Sequence, residues 1–178
     1  MSIDEKSGVD LDAVKEWLSR YLETFKDACS LEDRAMFLRE RASSPSSPNL
    51  DGMPHGKGVV SDRVGTLVGM ATDIESEASA TFREALTIYH EIDMAIKQIS
   101  GPGYPDKRYV LQMKYLDGMT WAEITDALWL SKADFLEKED SYVRRTFKIH
   151  RAALVSIANF IPKESEQILA SKKSGTGE

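Results

Sequence analysis

The chain has 178 residues, 42% of them hydrophobic and 29% charged, which is the composition of one or two folded domains with a core. No stretch approaches the ~18 consecutive apolar residues of a membrane span, the polar, acidic N-terminus is not expected to be a signal peptide, and the single cysteine, Cys29, excludes an internal disulfide framework and a thiolate-rich metal site. The net charge of −6 argues against nucleic acid only on average, because residues 1–103 hold 11 Lys/Arg against 18 Asp/Glu while residues 104–160 hold 9 against 8. A reduced, soluble, cytoplasmic protein is expected.

The pattern is helical almost throughout, and an all-α fold is expected. Leu11, Val14, Leu18, Tyr21, Phe25 and Ala28 alternate three and four apart, one stripe of an amphipathic helix. Ser30 with Asp33 has the spacing of a capping box, so the helix is expected to break or restart there and then run to about Ala42. Residues 43–58 are rich in Ser, Pro and Gly and read as a loop. Ser61 and Asp62 are candidate caps for the next helix. A long stripe follows from Val60 through Val64, Leu67, Ala71, Ile74, Ala78, Phe82, Ala85, Tyr89, Ile92 and Ile96 to Ile99. A rod of that length cannot cover its own stripe, so it is expected to form a long antiparallel, coiled-coil-like hairpin with the first helix.

Gly101-Pro-Gly-Tyr-Pro105 stops the rod and sets the expected domain boundary: a hairpin over 1–103, a small domain over 104–160 and a fraying tail over 161–178. The small domain reads as three helices. The first runs from Lys107 to Leu116 and closes at Asp117-Gly118. The second runs from Thr120 to Trp129 and opens on a Thr120/Glu123 capping box. The third runs from Ser141 to about Phe160. Val110, Leu111, Tyr115, Leu116, Trp121, Ile124 and Leu128 would fill the centre. On the third helix Val143, Phe147, His150, Leu154 and Ile157 would face inward, and Arg144, Lys148 and Arg151, flanked by Arg145, would face outward. Residues 141–160 contain no acid at all.

A helix, a glycine turn and a capped helix followed by a basic helix make the pattern of a helix-turn-helix unit. Guanidinium groups match phosphates and the guanine edge in pairs of hydrogen bonds. The expected DNA-contacting residues are Thr120, Ser141, Tyr142, Arg144, Arg145, Lys148 and Arg151. No arrangement of nucleophile and base is suggested by spacing, His55, His90 and His150 lie far apart, and Gly52–Gly58 lacks the spacing of a phosphate loop. Neither enzyme activity nor a metal or cofactor is expected.

Arg108-x-Val-Leu-x-x-x-Tyr-Leu-x-Gly-Met-Thr-Trp-x-Glu-Ile124, followed by Tyr142-Val-x-Arg-x-x-x-Ile-His-x-x-Ala-Leu154, resembles the C-terminal part of small phage proteins of Gram-positive hosts. These form the RinA/ArpU-like group of late-transcription regulators, whose C-terminal domain is similar to the promoter-reading region of sigma factors. The resemblance extends to Asp51-Gly-Met-Pro54 and the long helix after it. It implies a phage- or prophage-encoded regulator that binds double-stranded DNA, with host RNA polymerase as a further partner and a homodimer formed through the hairpin. The alternative is a structural adaptor such as a small terminase-like packaging oligomer, with the rod used for assembly. One stretch departs from the family pattern. Residues 130–140 are an acidic insert, expected to be helical from Ser131 unbroken into Ser141, which would place carboxylates where the reading helix enters the groove.

Overall fold

The computed structural model describes residues 3–4, 9–44 and 63–161. The expected caps Ser61 and Asp62, most of the 43–58 loop and the tail beyond Ile161 lie outside the described residues. The architecture is all-α: α1 (Leu11–Ser43), α2 (Arg63–Gln98), α3 (Tyr104–Leu111), a π-helical turn (Gln112–Leu116), α4 (Trp121–Trp129) and α5 (Glu139–Ile157), which ends in a 3-10 turn at Ala158–Phe160. Ahead of α1, β1 (Ile3–Asp4) pairs antiparallel with β2 (Val9–Asp10), with Ile3 opposite Asp10.

The Asp10 carboxylate starts α1 by accepting the N–H groups of Asp12 at 3.0 Å and Ala13 at 3.2 Å, two of the donors a helix start leaves unpaired. The expected break at Ser30–Asp33 does not occur, and α1 is continuous to Ser43. No Gly or Pro lies between Leu11 and Ser43 to stop it, so propagation wins over a local cap.

Two compact units are present, one formed by the segments 1–23 and 85–178 and the other by 24–84. In the 24–84 unit, α1 and α2 run antiparallel, as the Phe25–Phe82 ring contact at 5.8 Å and the Arg39–Glu75 ion pair show. Among the described residues of that unit, Ala28 and Ala35 of α1 and Ala71 and Ala78 of α2 are buried. Alanine seven apart on both helices lets their backbones approach closely. Leu67, Ile74 and Phe82 of the expected stripe are half-buried, while Val64 is 56% exposed.

The larger unit has one main core. Leu11, Val14, Trp17 and Leu18 of α1 meet Ile88, Ile92, Ile96 and Ile99 of α2, Leu111, Tyr115 and Leu116 of the α3/π segment, and Ala153, Leu154 and Ile157 of α5. The core therefore runs straight across residue 103. Arg108 ties the segments further. Its guanidinium donates to the carbonyl of Ile99 at 2.9 and 2.6 Å and to that of Lys97 at 2.5 Å, satisfying the end of α2.

Five residues of the first short helix are buried: Val110, Leu111, Met113, Tyr115 and Leu116. That is too wide a set for one face of an α-helix, and the π turn resolves it. The Asp117 N–H donates to the Gln112 carbonyl at 3.0 Å, five residues back. The widened turn sends Leu111, Tyr115 and Leu116 into the main core and Val110 and Met113 into a second cluster with Ile124, flanked by Met119, Trp121, Leu128 and Ile149. Gly118 then turns the chain at φ 70°.

Candidate nucleic-acid interface

The Thr120/Glu123 capping box is formed at the start of α4. The Glu123 carboxylate accepts the Thr120 N–H at 2.7 Å and the Thr120 hydroxyl accepts the Glu123 N–H at 3.4 Å. The Thr120 N–H, and after it the Thr120 hydroxyl, which also donates to the Glu123 carboxylate at 2.7 Å, hold that carboxyl below its ordinary range. Thr120 is thus occupied in starting the helix.

The insert is not a helix running into Ser141. Residues 130–138 form successive turns, with the Phe135 N–H donating to the Lys132 carbonyl at 3.1 Å and the Lys138 N–H to the Asp134 carbonyl at 3.1 Å. Phe135 is buried and packs its ring 5.7 Å from that of Tyr142, which folds the segment back on α5. The helix α5 begins at Glu139, with Glu139 and Asp140 in its first turn, where the helix dipole favours acids.

The inward face of α5 differs from the expected one. Tyr142 and Thr146 are buried together with His150, Ala153, Leu154 and Ile157, while Phe147 is 44% exposed at the edge and Val143 is half-buried. The reason is local satisfaction of polar groups. The Thr146 hydroxyl donates to the Tyr142 carbonyl at 3.1 Å and accepts the Trp129 indole N–H at 3.0 Å. The Tyr142 hydroxyl donates to Asp134 at 2.7 Å, and Lys138 donates to the same carboxylate at 2.9 Å. These two partners, Tyr142 first, pull the Asp134 carboxyl down to about 2. Phe147 instead rests against Trp121, with ring centroids 4.8 Å apart. Together with Ala122, Asp126, Glu139 and Val143 they line a shallow groove between α4 and α5.

At about 100° per residue the buried set and the set Arg144, Lys148 and Arg151 point in roughly opposite directions. All three cations are exposed, as are Arg145 and Ser141. Arg145 lies to one side of that row. Its guanidinium sits 5.3 Å from the Trp129 ring and 5.6 Å from the Tyr142 ring, within cation–π range of both. Of the seven residues expected at the DNA, the structure therefore gathers Arg144, Arg145, Lys148, Arg151 and Ser141 on the solvent side of α5. It turns Tyr142 inward and leaves Thr120 as a cap. Sequence reasoning missed Trp129 and Asp134 as supports of this surface, since only their spatial approach to Tyr142 gives them that place.

Beneath the surface, the Tyr115 hydroxyl and the His150 Nε2 lie 3.0 Å apart. Burial pushes the Tyr115 phenol up to about 12. Burial, with Lys15 and Lys114 adding to it, pushes the His150 imidazole down to about 4. His150 is therefore neutral at pH 7 and adds nothing to the positive face.

These elements make an all-α protein in which a helix, a tight turn and a capped helix support a basic helix, and among the described residues no helix is long and apolar enough to cross a membrane. The chain matches the family described as a protein of unknown function, DUF1492, over residues 44–145, more than half its length, and belongs to that family. Neither the curated proteins nor the solved structures gave a match.

Proposed function

We propose that this chain is a sequence-specific, DNA-binding transcription regulator of phage or prophage origin, acting in the bacterial cytoplasm. It binds double-stranded DNA with the outward face of α5. The observation that carries the reading is the placement of Arg144, Lys148 and Arg151 opposite the buried face of α5, with Arg145 beside them. A helix fixed to a core on one side and basic on the other has the form required of a helix laid in the major groove. The carboxylates of Glu139 and Asp140 shift the contact away from the first turn and toward the middle of the helix. The sequence resemblance to late-transcription regulators supports the same reading and adds host RNA polymerase as a partner.

Fluorescence anisotropy on duplexes tiled across the intergenic DNA of the source genome tests it. One duplex should bind at physiological salt. Arg144→Ala and Lys148→Ala should each weaken binding and flatten the salt dependence by about one unit for each phosphate no longer neutralised. Unchanged binding in both variants would discard α5 as the reading helix.

A second reading, an oligomeric packaging adaptor, is favoured by one feature. Phe25, Met36, Phe37, Val64 and Met70 in the 24–84 unit are all at least 40% exposed, an apolar surface suited to self-association. Light scattering separates the two, since a monomer or homodimer fits the regulator and a closed ring of many subunits fits the adaptor.

A further inference from the structure

We infer that Arg145 is a preorganised clamp for one backbone phosphate of the bound duplex, and that the 130–138 segment exists to hold it, with Asp134 positioning the clamp through Tyr142. This rests on the DNA-binding reading of α5. An exposed arginine ordinarily surrenders much rotamer freedom when it is fixed. Here the Trp129 and Tyr142 rings lie against the guanidinium before any ligand arrives, so less freedom remains to be lost on binding. A cation–π contact uses the charge of a guanidinium and not its N–H donors as ordinary hydrogen bonds, so the fork remains available to paired phosphate oxygens.

Both rings are themselves fixed. The Trp129 indole is anchored on Thr146 at 3.0 Å, and the Tyr142 hydroxyl on Asp134 at 2.7 Å, with Phe135 packed beside it. Lys138 pairs with Asp134 at 2.9 Å, so the carboxylate that supports the site is compensated and does not repel a phosphate. The choice of phosphate over base follows from placement. Arg145 is displaced by roughly 60° around α5 from Lys148, toward Trp129, and a residue on the flank of a helix in the groove meets the backbone wall.

The test uses the full chain, with anisotropy on the preferred duplex and on a scrambled duplex of equal length across a salt series. Arg145→Ala should weaken binding to both duplexes by the same factor, roughly tenfold, and lower the salt slope by about one unit. Arg145→Lys keeps the charge and loses the planar fork, so it should weaken both duplexes equally with the slope retained. Asp134→Ala should reproduce the Arg145→Lys pattern, while Asp134→Asn, which keeps an acceptor for the Tyr142 hydroxyl, should restore binding. Loss of discrimination between the duplexes in Arg145→Ala would make Arg145 a base reader and overturn the assignment. A lowered melting temperature with unchanged DNA binding would also overturn it, reducing the ring contacts to a stability role. If the unaltered protein bound no duplex at any salt, both the clamp and the DNA reading beneath it would fall.

Discussion

The buried His150 shows how a single side chain couples the stability of the fold to pH. Its imidazole titrates near 4 in the folded protein because burial disfavours the cation. In the unfolded chain it titrates near the ordinary value of about 6.5. A depressed histidine means that the unfolded state takes up the proton first. The contribution to stability is therefore complete above about pH 6.5 and is lost as pH falls toward 4, amounting to about 3 kcal/mol at most. Urea titrations between pH 7 and pH 4 should show this loss, and His150→Gln should flatten the pH dependence while lowering stability at pH 7. An equally steep dependence in the variant would assign the acid sensitivity to other groups. The Tyr115 hydroxyl would then still lack its imidazole partner, so the variant's deficit at neutral pH reports the bond separately.

At the level of elements, the helices were legible from the sequence wherever spacing alone decides. The alternating stripes of α1 and α2 and the three-residue step from Thr120 to Glu123 needed no tertiary information. What was not legible depended on packing against other elements. The π turn exists because Leu111 and Tyr115 serve one cluster and Val110 and Met113 another, a division invisible in a plain apolar run. The inward face of α5 was misread because Val143 and Phe147 are apolar, whereas Tyr142 and Thr146 are buried through hydrogen bonds that a hydrophobicity pattern does not register. The alanine pairs were visible but silent, since alanine is common in any helix. Their role now yields a prediction. In the 24–84 unit, Ala78→Leu should force the two backbones apart and destabilise the protein by about 1–3 kcal/mol, read as a lower urea midpoint, while Ala78→Ser should cost less. A stabilised Ala78→Leu variant would show that the seam has room to spare.

For the molecule as a whole, the average charge concealed what its distribution contained: the acid-free stretch after Asp140 became the one continuous basic surface of α5. The connectivity of the main core matters as much. The buried ends of α1 and α2, the π turn and the second half of α5 meet in a single cluster. The family match over 44–145 takes in only part of that cluster, for Leu11, Val14, Trp17 and Leu18 precede it and Ala153, Leu154 and Ile157 follow it. A fragment of residues 104–161 expressed alone would leave Leu111, Tyr115, Leu116, Leu154 and Ile157 facing water. It should bind a hydrophobic dye and melt without a sharp transition; a cooperative melt would refute this. The basic helix is thus not a portable part that recombination could graft onto another protein. Any lineage that inherits its surface must inherit the start of α1 and the close of α2 with it.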